Sequence, residues 1–322
     1  MQSLLATAIS EDSTKLAAID GNRNLLLWDI RMPNSAPVKF QIAVEGALMK
    51  DEPRILFLLS RLLSVALGNL VIVIDSVHML NSGSSLVGIS GDPGYLISRT
   101  GLPCRVSCMT SSDSDEILVG TDSGKIMAIS VAGRIVRALQ TGCADRLTSL
   151  THVNSFCLIA GTQKGQIILL DPTTGSVKSS WWSSQPNASV NYLAVDPRGN
   201  WFSALISSGG KVNLVSGSTR SLVRVFESRQ LPNDVNRCEF SYLTSSGLSI
   251  LIGGKNTPLT VLPLDLSCLG TPRRSHLEES TVGFDNLCKS RGGDLLSVTC
   301  NGAEIKLLAG KTLSIVGKIF VV

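Results

Sequence analysis

Gly120–Lys125 (GTDSGK) is the stretch closest in form to a phosphate-binding loop. Such a loop needs four residues between its glycines, Ser or Thr after the lysine, and a following helix whose first amides meet the phosphate. Here three residues intervene, Ile126 follows the lysine, and the chain continues as an apolar strand-like run. Gly-Lys also recurs at Gly210-Lys211 and Gly254-Lys255, so the pair belongs to a repeat and not to a nucleotide site. No G-x-S-x-G nucleophile elbow occurs, and the three histidines, His78, His152 and His276, are scattered. The carboxylate pairs Asp113/Asp115 and Glu278/Glu279 fall in polar, turn-rich segments and read as solvated surface. The eight cysteines are dispersed, with no C-x-x-C. Cys104 and Cys108 are four apart, too far to bridge on a strand rising about 3.3 Å per residue. Buried reduced thiols are therefore expected, with no metal, no cofactor and no catalytic residue.

The elements around these residues must come from a chain of 322 residues, 43% hydrophobic and 17% charged, a composition that excludes intrinsic disorder. The 29 basic and 25 acidic residues leave a net charge of +4 without a Lys/Arg-rich run, which argues against direct nucleic-acid binding. The N-terminus (MQSLLATAISEDS) lacks the basic segment of a secretory leader. An intracellular protein, cytoplasmic or nuclear, is expected, and the sequon at Asn187 then carries no information. Ile55–Ile74 is apolar enough to test as a membrane span. Arg61 and the Gly68-Asn69 hairpin signal break it, so buried strands are expected there and no span.

Seven times an apolar strand enters a Gly/Asn/Asp/Ser turn and returns as a second apolar strand. The copies are Leu16–Asp29, Leu63–Asp75, Ile117–Ser130, Cys157–Asp171, Phe202–Ser216, Ser249–Pro263 and Leu296–Ala309. Their closing residues (Trp28, Ile74, Ile129, Leu170, Val215, Leu262, Leu308) recur roughly every 45 residues, the period of a four-stranded propeller blade. Runs such as Leu25–Trp28 and Val71–Ile74 are apolar without alternation, as strands covered on both faces must be. Further strands precede and follow most hairpins. Ala6–Ser10, Val106–Thr110 and Val190–Val195 come before; Arg134–Gln140, Ser176–Trp182, Leu222–Glu227 and Leu313–Phe320 come after. The expectation is an all-β protein: one domain over residues 1–322, a seven-bladed β-propeller of four-stranded antiparallel blades. Two stretches stand outside the scheme: a connector at 43–54 and an apparent insertion at 91–103.

Ile9–Asp29, with its polar turn, small-residue strand, hairpin and closing Trp28-Asp29, resembles half of a WD repeat, and Val195–Ser216 is similar. The resemblance extends along the chain, although Trp-Asp occurs once and Gly-His nowhere, so apolar packing must join the blades. It implies a non-enzymatic protein–protein interaction scaffold, a subunit of a larger complex. It also implies that hairpin turns and inter-blade connectors share one docking face. That face would carry Arg23, Arg99, Lys125, Arg146, Lys164, Lys211, Arg229, Arg237 and Lys255 against Asp122, Asp145 and Asp234. A basic rim suits acidic or phosphorylated peptides, and the same side chains would equally solubilise exposed turns. Tyr95 lies in the 91–103 segment, and Trp182, of the pair Trp181-Trp182, is a possible aromatic anchor. Trp28-Asp29-Ile30-Arg31 matches the Trp-Asp-x-Arg core by which some WD-repeat proteins dock on a cullin-ligase adaptor, which implies a substrate-receptor alternative centred on Arg31. Arg23 stands where the longer motif prefers an acid. Arg273-Arg274 resembles the paired arginines of phosphoinositide-binding propellers, but with Pro272 and Ser275 as unfavourable neighbours.

Overall fold

Four short strands and then a new sheet: the computed structural model shows seven such sheets in succession, six with all four strands and one with three among the described residues. The structure describes residues 4–321, apart from 33–35, 43–51, 59, 83–93, 114, 186, 221–224, 264–283, 291–292 and 301–303. From inner to outer strand, blade one is Leu4–Ile9, Lys15–Asp20, Asn24–Asp29 and Val38–Gln41. Blade two is Arg54–Leu58, Leu62–Leu67, Leu70–Asp75 and Leu96–Gly101; blade three is Val106–Ser111, Ile117–Thr121, Lys125–Ile129 and Ile135–Gln140. Blade four is Leu147–Asn154, Cys157–Thr162, Gln166–Leu170 and Val177–Trp182; blade five is Ser189–Val195, Trp201–Ser208, Lys211–Ser218 and Val225–Leu231. Blade six shows Val235–Leu243, Gly247–Gly254 and Thr260–Pro263, and the chain beyond it to Phe284 is outside the described residues. Blade seven is Phe284–Lys289, Leu295–Cys300, Glu304–Ala309 and Ile315–Phe320. All pairings are antiparallel.

The inner strands touch in cyclic order, and Leu4–Ile9 of blade one meets Phe284–Lys289 of blade seven to close the ring. The seven-bladed propeller expected from the period is therefore the observed fold. Its core is divided into seven parts, one between each pair of blades. In blade one, Ala17, Ile19, Leu25 and Leu27 pack on blade two, while Leu16, Ala18, Leu26 and Trp28 pack on blade seven. Alternate side chains of one strand thus point into two different cores. That is why the middle strands read as unbroken apolar runs.

Blades one and seven are each built from one continuous stretch, so no strand is exchanged across the closing seam. The seam is packed by Leu4, Ile9, Leu16, Leu26 and Trp28 against Leu295, Ile305, Leu307 and Ile319. Trp28, 2% exposed, fills the wedge between these two blades.

Blade two differs from the sequence reading. Residues 55–74 are strands, as expected, but the apparent insertion at 91–103 contains the outer strand Leu96–Gly101. Its alternating exposure is that of an edge strand and lacks the apolar run by which inner strands announce themselves. The additional element lies earlier, in the short helix Ser76–Ser82. Asp75 caps that helix, accepting from the Val77 and His78 amides (both 3.1 Å), and Met79 drops into the core between blades one and two. In blade five the outer strand is described over Val225–Leu231, paired with Lys211–Ser218, and residues 222–224 of the expected strand Leu222–Glu227 lie outside the described residues. No helix among the described residues is long and apolar enough to cross a membrane.

Candidate functional site

Strand order sorts the loops into two faces. Hairpins between second and third strands lie with the connectors between blades, and hydrogen bonds tie them together. The Leu102 amide donates to the Asn69 carbonyl (2.7 Å), Gln163 to Arg146 (3.0 Å) and Ser183 to Gly165 (3.0 Å). Gly124 shows how tight the fit is. Its φ is +76°, and a Cβ there would strike the Cys143 carbonyl oxygen of the next connector.

On this hairpin face the charges divide by use. Asp20 is buried and accepts from the Asn22 and Asn24 amides (2.9 and 2.8 Å) and from Asn24 Nδ2 (2.8 Å). Asp234 likewise accepts from the Asn256 amide (2.6 Å) and Thr257 Oγ1 (2.7 Å). The bases are not consumed in this way. Lys125, Arg146, Lys164, Lys211 and Lys255 are all exposed, and among the described residues none of them pairs with a carboxylate. They form an arc over blades three to six. Trp182, 54% exposed, stands at the hairpin end of the outer strand of blade four, opposite Gln166 and beside the Lys164 hairpin. Its neighbour Trp181 packs partly into the core between blades four and five.

The other residues singled out from sequence are placed elsewhere. Arg23 is in the blade-one hairpin, half-buried at φ +63°, and its carbonyl accepts from Ile42 (3.2 Å). Arg99 is exposed on the outer strand of blade two, away from the hairpins, and Arg229 belongs to the outer strand of blade five. Tyr95 is 5% exposed and meets Phe40 edge-on at 5.7 Å, which removes it from the surface. Arg31 is on the opposite face, its side chain 68% exposed and held by Asp29 (Nε–Oδ1 2.9 Å, Nη2–Oδ2 2.5 Å). Residues 43–51, 91–93 and Arg273-Arg274 lie outside the described residues.

Arg237 was expected on the hairpin face and is instead on the inner strand of blade six, lining the central channel. There a cavity of about 870 Å³ is bounded by the inner strands. Tyr192 Oη donates to Glu239 Oε1 (2.9 Å), and Arg237 Cζ lies 5.3 Å from the Tyr192 ring centre. Lys289 Nζ donates to the Phe240 carbonyl (2.7 Å) and lies 3.9 Å from Glu239 Oε2. Burial pushes the Glu239 carboxyl above its ordinary range, against the pull of Lys289, the Tyr192 hydroxyl and Arg237, and pushes the Tyr192 phenol up as well. Sequence reading missed Tyr192, Glu239 and Lys289. The signal was the polar interruption Asn236-Arg237-x-Glu239 within an otherwise apolar strand.

The cysteines on strands are poor nucleophiles: burial raises Cys108 and Cys157 to about 11 and Cys288 to about 12. Among the described residues no group of three or more His, Cys, Asp or Glu side chains is gathered as a metal ion would need. No family model matches the chain, and no curated protein matches it in sequence.

Proposed function

We propose that this protein is a non-enzymatic interaction scaffold, a divergent WD-repeat-type propeller that serves as a subunit of an intracellular multiprotein complex. One observation carries the reading: on the hairpin face Asp20 and Asp234 are occupied within the turns, while five basic side chains and Trp182 are presented to solvent. A rigid disc with an exposed aromatic beside unpaired cations is suited to an acidic or phosphorylated peptide segment.

The test is the triple charge reversal Lys125→Glu, Lys164→Glu, Lys211→Glu, followed by affinity purification from cells and mass spectrometry. The substitutions are at exposed positions, so the circular dichroism spectrum and Tm should hold while co-purifying partners are lost. Retention of every partner by a folded triple variant overturns the reading.

The cullin-ligase alternative draws support from the exposure of Arg31 and its fork-to-fork pairing with Asp29, which fixes the guanidinium direction. Trp28 is buried, so Arg31 would make the contact. Adaptor pull-down should fall on Arg31→Ala, and unchanged capture removes this alternative.

A further inference from the structure

Arg237 is a half-buried guanidinium that makes no ion-pair contact with a carboxylate among the described residues. Its hydrogen bonds and its ring contact are all to neutral groups, and the Glu239 carboxylate, turned to Tyr192 and Lys289, acts on it only through space. Nη1 donates to the Asn236 carbonyl (2.9 Å), Nη2 donates to Asn286 Oδ1 (2.9 Å), and the Tyr192 ring lies against it. Asn286 is itself fixed, donating Nδ2 to the Leu5 carbonyl (3.4 Å) across the closing seam. Arg54 on blade two, lining the same cavity, makes the contrast, because it has its own carboxylate in Glu52 (2.8 Å).

Withdrawing a cation from water without a counter-charge is costly, and natural structures compensate by pairing it. Arg237 has orientation with only partial compensation: Glu239 offsets its charge through space, but no carboxylate is hydrogen-bonded to its fork. Three blades hold its fork in place: Asn286 from blade seven, Tyr192 from blade five, and its own strand in blade six. It stands near the hairpin end of the channel, two residues beyond Val235, which pairs with Gly254. Beside it the Asn236 amide has an Oδ1 that is buried without a partner, so rotation of that amide would turn Nδ2 toward an acceptor.

We propose that the channel mouth at Arg237 is a binding subsite for a single carboxylate or phosphoryl group. The anion would take the remaining guanidinium N–H donors, and the cavity of about 870 Å³ leaves room for the body that bears it. Two sources share this chemistry: a free small anion, or an acidic side chain of a segment docked on the hairpin face. The subsite does not depend on the basic arc, since Arg237 lies inside the channel.

The experiment compares wild type, Arg237→Gln, Arg237→Lys and the triple arc reversal. One arm measures Tm against inorganic phosphate and against citrate. Multivalent anions stabilise many folds by exclusion, so the reading is the difference between wild type and Arg237→Gln. The second arm measures anisotropy of a fluorescein-labelled Gly-Glu-phosphoserine-Glu-Gly peptide. Binding by wild type, about 10- to 100-fold weaker in Arg237→Gln and intermediate in Arg237→Lys, is expected from loss of a charge-assisted fork. A response to phosphate or citrate assigns the subsite to free anions; a response to the peptide alone assigns it to a docked segment. If neither probe binds, or both bind Arg237→Gln as they bind wild type, the subsite is refuted. Loss of peptide binding on arc reversal with no effect of Arg237→Gln would overturn the subsite and leave the scaffold reading intact. Anion binding that survives arc reversal, with all cellular partners retained, would do the opposite.

Discussion

Replacing Trp28 with Ala tests how the ring is closed. The side chain is 2% exposed and sits in the core between blades one and seven, where no exchanged strand holds the seam. A tryptophan buries about 150–250 Å², worth about 4–6 kcal/mol at roughly 25 cal/mol per Å². Truncations of buried aromatic side chains cost about 3–5 kcal/mol once partial collapse is included. A loss of about 3–5 kcal/mol is therefore expected from the urea midpoint at constant m. The location of the loss matters as much as its size. Phe202→Ala removes a fully buried ring between blades four and five, which are also joined by a covalent connector. Hydrogen exchange should therefore quicken in blades one and seven for Trp28→Ala, but around blades four and five for Phe202→Ala. Under about 1 kcal/mol of destabilisation, or protection lost evenly around the ring, would refute packing-only closure at this seam.

Three further outcomes follow from particular contacts. Gly124→Ala should lower Tm sharply and reduce soluble yield, since it combines a strained positive φ with a clash against the Cys143 carbonyl. Glu239 has its folded pKa raised by burial, so its contribution to stability is present below the unfolded value and is lost as pH rises through the folded one. Glu239→Gln keeps an acceptor for Tyr192 and should gain on wild type in denaturant stability from about pH 4 upward; an unchanged difference across pH 4–8 counts against a buried, destabilised carboxylate. Asp171 is shifted the other way, to about 2, by the Thr174 and Thr173 amides and the Lys178 side chain. Its contribution is present above the unfolded value and lost as pH falls toward 2, so Asp171→Asn should flatten the acid limb of Tm against pH.

Much of this architecture is local and therefore legible in the residues. Hairpins at Asp20–Asn24, Gly68-Asn69 and Thr162–Gln166 follow from turn chemistry, and blade number follows from counting them. Turn strength is local too: Asp196 in the Asp-Pro-Arg-Gly turn accepts from the Arg198, Asn200 and Trp201 amides, as that tetrapeptide implies. Outer strands were harder to find. Leu96–Gly101 is half-exposed and follows an inserted helix, so no apolar run marks it and its pairing with Leu70–Asp75 is what defines it.

Sequence by itself determined the repeat, the strand-rich class and the position of the hairpin lysines, because period and turn preference act over a few neighbouring residues. Tertiary structure alone decided that Tyr95 is buried on Phe40 and that Arg237 faces the channel. It also brought Tyr192, Glu239 and Lys289, from three different blades, into one cluster. Those outcomes depend on how consecutive blades stack, and only that stacking brings residues about fifty positions apart in the chain within reach of each other.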